Sequence, residues 1–168
     1  MFTSTAVALP QKKRALRGRR LVVVDMENIV GGAVLRIDQA VSAQSAIRIA
    51  ATLGGDEQVV VGTSHIGVLA SGLGWRGSRV VARSGENGAD LALLDVLTGE
   101  NIQDRFDAIV LASGDGIFTE AVAMLGSFGV HVTVVANSNG CARRLTLAAS
   151  ETVMLERSIA GLGGAAFS

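Results

Sequence analysis

Three short acidic motifs stand where apolar runs end or begin, and their residue types are those of hard-cation and proton chemistry. Leu21-Val22-Val23-Val24 runs into Asp25-Met26-Glu27-Asn28. Ala108-Ile109-Val110-Leu111-Ala112 runs into Ser113-Gly114-Asp115-Gly116-Ile117-Phe118. Between them, Gly88-Ala89-Asp90 opens the apolar run 91–97. Carboxylates gathered in one place hold a divalent cation or move a proton. In an open α/β sheet, ligands bind in the crevice outside the carboxyl ends of the strands. Acids collected there point to metal-dependent chemistry on a phosphate ester.

Each motif has its own logic. Asp25 follows four apolar strand residues, so its carboxylate emerges at the carboxyl edge of the sheet. Asn28 offers an amide donor and an acceptor that could orient a water or a phosphate oxygen. On a helix, Leu94 and Leu97 lie within roughly 40° of Asp90. Asp90 therefore sits in an apolar stripe, where a lone carboxylate is penalised unless paired or metal-bound. Asp95 falls roughly 140° away, on the outer flank. Ser113-Gly114-Asp115 puts a hydroxyl, a close-approach glycine and a carboxylate at a helix N-terminus, whose free N–H groups favour anions. Helix capping is the competing reading for all three acids.

The elements that position these residues alternate. Strands are expected at 21–25, 58–62, 78–82, 108–112 and 130–136, with an edge strand at 152–155. Helices are expected at 38–53 (N-capped by Asp38), 65–73, 88–97, 116–128 and 141–149, and a loop at 29–37. The fold class is α/β: one domain, three-layer α/β/α, with a mainly parallel sheet and right-handed crossovers. Strand order 3-2-1-4-5 would bring the first and fourth strands together at a switch point. The expected organisation is a basic tail over 1–20, the domain over 21–157 and a Gly-rich tail over 158–168.

The bulk numbers suit that domain. The chain has 168 residues, 49% hydrophobic and 18% charged, enough for one core and too apolar for a disordered chain. Its apolar runs are strand-sized, so no membrane role is expected. Lys12, Lys13, Arg14, Arg17, Arg19 and Arg20 precede a body with nine basic and fifteen acidic side chains. That arm reads as a solvated tail, or as a grip on a nucleic-acid backbone by counterion release. The single Cys141 cannot form an internal disulfide, which fits a cytoplasmic location and a packing role.

Other motifs carry less. Gly72-Leu73-Gly74-Trp75-Arg76-Gly77 has dinucleotide-loop spacing but follows a helix and precedes a strand, the wrong context. Trp75 reads as a turn residue rather than a base-stacking one. His65 lies just past the second strand, on the acidic pole, as a candidate RNA contact. His131 opens a strand at the opposite pole. Asn137-Ser138-Asn139-Gly140 followed by Arg143-Arg144 reads as a phosphate-contacting loop, with Ser138, Arg143, Arg144 and Ser113 as candidate nucleic-acid contacts.

At these residues the chain resembles the NYN domains, a branch of the PIN-like metal-dependent ribonucleases. The resemblance spans roughly 21–155. It rests on Val22-Val23-Val24-Asp25-Met26-Glu27-Asn28, on Gly88-Ala89-Asp90 with Leu93 and Asp95, and on Ser113 to Phe118. Gly129-Val130 before an apolar strand, and Ser138 with Leu145, extend it. It implies a PIN-like fold and cleavage of RNA with Mg2+ or Mn2+. It would make Asp25, Asp90 and Asp115 metal ligands, Asp95 a second-tier ligand and Asn28 a catalytic-site organiser. Two positions depart from the pattern. Many relatives carry an acid where this chain has Ile117, and a lysine where it has Asn87. Glu27 and Glu120 are the acids nearest to compensating.

The leading expectation is a metal-dependent endoribonuclease acting on single-stranded RNA. The alternative is a catalytically reduced NYN-like module that binds RNA or a protein partner without cutting. A haloacid-dehalogenase-like phosphatase needs a second Asp where this chain has Glu27. The oligomeric state is left open, a homodimer included.

Overall fold

A computed structural model describes residues 18–155. The basic run up to Arg17 and the Gly-rich end beyond residue 157 lie outside the described residues. Six strands form one sheet: β1 (Arg20–Asp25), β2 (Gln58–Thr63), β3 (Arg79–Ala82), β4 (Ala108–Ala112), β5 (His131–Asn137) and β6 (Glu151–Leu155). Their order is β3-β2-β1-β4-β5-β6 and every pairing is parallel. The expected order is thus found, with the edge strand added beyond β5. The order reverses between β1 and β4, so the crevice opens where the acidic motifs end.

The helices are α1 (Met26–Val30), α2 (Ile37–Ala50), α3 (Val68–Gly74), α4 (Gly88–Gly99), α5 (Ile102–Arg105), α6 (Thr119–Ser127) and α7 (Arg143–Ala148). Alternate strand residues feed two cores, as parallel strands buried on both faces must. Leu21, Val23, Ile109 and Leu111 pack with Leu93, Leu97, Leu125 and Leu145 from α4, α6 and α7. Val22, Val24, Val110 and Ala112 pack on the other face with Met26, Ala43, Ile47 and Trp75.

Several local expectations change. The 29–37 segment is not all loop: α1 forms over Met26–Val30, because Asp25 caps it by accepting the Asn28 N–H at 3.3 Å. Asp38 does not cap α2. That place falls to Arg36, and Gln39 reaches back to accept the Leu35 and Arg36 N–H groups. The 65–73 and 116–128 helices each begin as a 3-10 turn, at His65–Gly67 and Gly116–Phe118. The short α5 has no counterpart in the expected elements. Trp75 closes α3 at 1% exposure, which removes it as a base-stacking residue. Gly74 belongs to helix packing instead: a Cβ there would lie 2.5 Å from the Ala40 side chain. Among the described residues no helix is long and apolar enough to cross a membrane.

Candidate functional site

The sheet register sets the site. Val24 pairs with Ala112, so Asp25 and Ser113 leave β1 and β4 side by side. Asp25 also pairs with Gly62 of β2. A Cβ on Gly62 would stand 2.5 Å from the Leu93 side chain, so α4 rests directly on this glycine. Asp90 lies one turn before Leu93 on the same helix face. The contact that seats α4 therefore also turns Asp90 toward Asp25. The buried stripe of α4 is Leu93, Val96 and Leu97, with Leu94 at its margin, so Asp90 flanks the stripe.

Asp25 is 2% exposed, yet its carboxylate is well engaged. Ser113 Oγ donates to Oδ2 at 2.9 Å, and the Asn28 N–H donates to Oδ1. Burial, then the charge of Asp90, pushes the Asp25 carboxyl up to about 7, against the lowering pull of Ser113 and Asn28. Asp90 is within hydrogen-bond reach of Asp25 and is also raised, first by burial and further by the charges of Asp115 and Glu27. Two carboxyls in contact cannot both ionise freely. The pair holds a proton or calls for a cation.

Glu27 adds a third acid at the rim. Its Oε1 accepts Thr63 Oγ1 at 2.9 Å and the Ser64 N–H at 2.7 Å. Its Oε2 is buried with no hydrogen-bond partner. Asp115 caps its own turn, accepting the Ile117 N–H at 2.9 Å. Hard carboxylate oxygens, a mutually repelling pair and an orphaned carboxylate oxygen suit Mg2+ or Mn2+. Among the described residues no three His, Cys, Asp or Glu side chains already converge as a finished cage. Mg2+ needs only one or two carboxylates beside waters and phosphate oxygens.

Asn28 is a clamp between loops. Its Oδ1 accepts the Gly114 N–H at 2.9 Å, and its carbonyl accepts Asn137 Nδ2 at 3.2 Å. Asn137 also donates to the Ile29 carbonyl at 3.0 Å. The β1, β4 and β5 loops are thereby locked together. The Gly114 carbonyl accepts the Ala142 N–H at 2.8 Å, and a Cβ on Gly114 would collide with the Gly140 carbonyl.

The remaining sequence candidates divide. Arg144 lies over Gly116, where a Cβ would be 2.6 Å from its Nε. Arg143 and Ser138 are exposed on the same side. His65 is exposed, with Nε2 2.8 Å from Ser84 Oγ. Asp95 is not brought to the carboxylate pair: it stands exposed on the outer flank of α4, 3.3 Å from Arg83 Nη2. Glu120 is exposed on α6. Thr63 and Ser64 belong to the site without having been singled out by sequence, and Asn137, expected only as part of a phosphate-contacting loop, clamps the β1 loop. Their signal is the same as that of the acids, a polar residue closing an apolar strand. A cleft of about 700 Å³ between Arg20, Glu57 and Asp107 lies at the opposite pole and contains none of these groups.

No curated protein matches the chain. A crystal structure of a protein of unknown function from Vibrio parahaemolyticus is similar in fold, with a TM-score of 0.55 at 15% identity. The match covers 83% of this chain and 94% of that one. The model of the NYN domain matches residues 20–156, from the first residue of β1 to just past β6. With the switch-point acids and the parallel six-stranded sheet, that match places the chain in the NYN domain family, whose fold is nuclease-like.

Proposed function

We propose that this NYN domain is a metal-dependent endoribonuclease that cuts single-stranded RNA. The observation that carries the reading is the contact between the carboxyls of Asp25 and Asp90, one of them almost fully buried. Asp25 and Asp90 are assigned as the residues that hold Mg2+ or Mn2+, with Asp115 as the third ligand. Bound there, the cation would lower the pKa of a water and neutralise charge on the phosphate. Ser113 fixes one Asp25 oxygen and the Asn28 N–H the other. Asn28 holds the Gly114 backbone in register with β1. Arg144, Arg143, Ser138 and His65 are assigned to the RNA backbone, Arg144 by charge-assisted contact with a phosphate. The lone Cys141 suits action in a reducing cytoplasm.

One observation favours a second reading. Ile117, where many relatives carry an acid, packs against the core, and its N–H is spent on Asp115. The site would then bind RNA without cutting it. The experiment that separates the two is cleavage of a labelled single-stranded RNA with Mn2+, Mg2+ or EDTA, beside an Asp25→Asn, Asp115→Asn double variant. Metal-dependent cutting that the variant lacks supports the nuclease. Retained RNA binding without cutting by the wild type supports the reduced module.

A further inference from the structure

The strand ends place cations as well as acids. Every strand pairing is parallel, so the residues that follow the strands gather at one pole. Asp25 and Ser113 leave β1 and β4 at its centre. Arg83 directly follows β3, and Arg144 belongs to α7, the helix that follows β5. In the order β3-β2-β1-β4-β5-β6, β3 and β5 flank the central pair, four strand spacings apart. At about 4.8 Å per spacing they are ~19 Å apart. The two arginines therefore stand on opposite banks of the crevice, with the carboxylates between them.

Arg83 is tied to the helix that carries Asp90. A Cβ on Gly88 would collide with the Arg83 carbonyl, so the Arg83 backbone lies against the first turn of α4. Its neighbour Ser84 meets His65, with 2.8 Å between Oγ and Nε2. The Arg83 guanidinium reaches Asp95, with Nη2 3.3 Å from Oδ2. Asp95 lies about 7.5 Å along the helix axis from Asp90 and on the outer flank, so this contact holds the cation away from the carboxylate pair. The hold is weak: the two side chains are 50% and 68% exposed, and an ion pair between exposed charges contributes little. One such contact leaves most of the five guanidinium N–H donors for a phosphate.

We propose that Arg83 is a second phosphate-binding arginine of this site, on the bank opposite Arg144, and that Asp95 holds it aside until RNA draws it in. The proposal rests on the RNA reading given above and adds the path of the strand. RNA crosses the ends of the β-strands from the α7 bank to the α4 bank, with a cation at each side to offset the acids it passes. A phosphate displaces the Asp95 carboxylate from the guanidinium, an exchange of one anion for another. Asp95 then acts through Arg83, as a positioning residue and not as a metal ligand.

The test is fluorescence anisotropy of a labelled oligouridine with the full-length chain and Ca2+, a hard cation for the carboxylates, across a salt series. Arg83→Gln is expected to weaken binding by about three- to tenfold and to flatten the slope of log K against log salt by about 0.7, the share of one phosphate on a single strand. Arg83→Lys keeps the charge and should keep most of the slope. Arg105→Gln, at the end of α5 just before β4 begins and so at the opposite pole, should change neither. Asp95→Asn should tighten binding by about two- to threefold, and should do nothing in the Arg83→Gln background. Unchanged affinity and slope in folded Arg83→Gln protein overturn the proposal and leave the RNA reading in place. Equal tightening by Asp95→Asn with and without Arg83 overturns the role of Asp95, because the carboxylate then acts only through its field. A wild type that binds no RNA overturns the RNA reading, and the proposal with it.

Discussion

Ser113 Oγ donates to Asp25 Oδ2 at 2.9 Å across 88 positions of sequence. The same oxygen accepts the Asp115 N–H at 3.1 Å. One hydroxyl thus joins the end of β1, the end of β4 and the turn that carries Asp115. Ser113→Ala removes a bond that favours the ionised form of a buried carboxylate. The Asp25 carboxyl should rise further, and unfolding in urea at pH 8 should show a loss of about 1–3 kcal/mol. The acid limb of any cleavage profile should move to higher pH. A lost kcal/mol with an unmoved limb would mean that Ser113 only braces the loop.

The raised Asp25 makes stability depend on pH with a definite sign. Its folded value, about 7, lies above the ordinary 3.8, chiefly through burial and then through Asp90. The folded state therefore binds this proton more tightly than the unfolded chain does. The penalty is absent below about pH 4, grows between pH 4 and 7, and is complete above 7. It amounts to a few kcal/mol on the order of 1.4 per unit. Asp25→Asn should melt higher than the wild type at pH 8 and show little difference at pH 4. Mn2+ should stabilise the wild type at pH 8 and leave the variant unmoved. A variant that melts lower at pH 8 would remove the case for a strained carboxylate pair.

Much of this site was legible in residue order, because a buried parallel strand ends where its apolar run ends. Asp25 and Asp115 each follow such a run, and Asp90 opens the next helix. The switch point could be placed from strand alternation alone. What could not be read was which acids face inward. Asp95 matches the family pattern but swings out to Arg83, since five residues along α4 carry it past the buried stripe. Asp38 looked like a cap, yet Gln39 supplies the longer reach that the Leu35–Arg36 bend needs. Thr63 and Ser64 hold Glu27 from 36 and 37 positions away, a pairing fixed by the β1–β2 register rather than by any local pattern.

The amino-terminal pole should behave as scaffold. Arg20 Nη2 donates to Glu57 Oε1 at 2.6 Å and to the Thr52 carbonyl at 3.0 Å, while the Gly54 and Gly55 N–H groups bind the same carboxylate. Burial works against the charge of Glu57. Arg20 and the two glycine amides outweigh it and hold the carboxyl at about 2, below its ordinary 4.5. This stabilisation is present above about pH 4.5 and fades as pH falls toward 2. Arg20→Met should lower the melting temperature by several degrees at pH 7 and by progressively less in acid. Cleavage per folded molecule should not change, since the pair sits at the pole opposite Asp25. A selective loss of cleavage in folded Arg20→Met protein would contradict that separation.

Two glycines two residues apart should respond in opposite ways to the same methyl group. A Cβ at Gly114 meets the Gly140 carbonyl and its carbon at 2.7 Å, which are backbone atoms with nowhere to go. Gly114→Ala must push the β4 and β5 loops apart, breaking the Gly114–Asn28 and Ala142–Gly114 hydrogen bonds. A loss of about 2–4 kcal/mol is expected, together with loss of the site. The three atoms nearest a Cβ at Gly116 all belong to the Arg144 guanidinium, with Nε at 2.6 Å, the mobile end of an exposed side chain. Gly116→Ala should therefore cost under about 1 kcal/mol, because the arginine can swing away. Displacing it moves the cation from over the turn that carries Asp115. If Arg144 contacts the RNA phosphate, Gly116→Ala should weaken RNA binding as Arg144→Ala does, and the double variant should be no worse than either. Additive losses in that cycle would show that the two residues act separately.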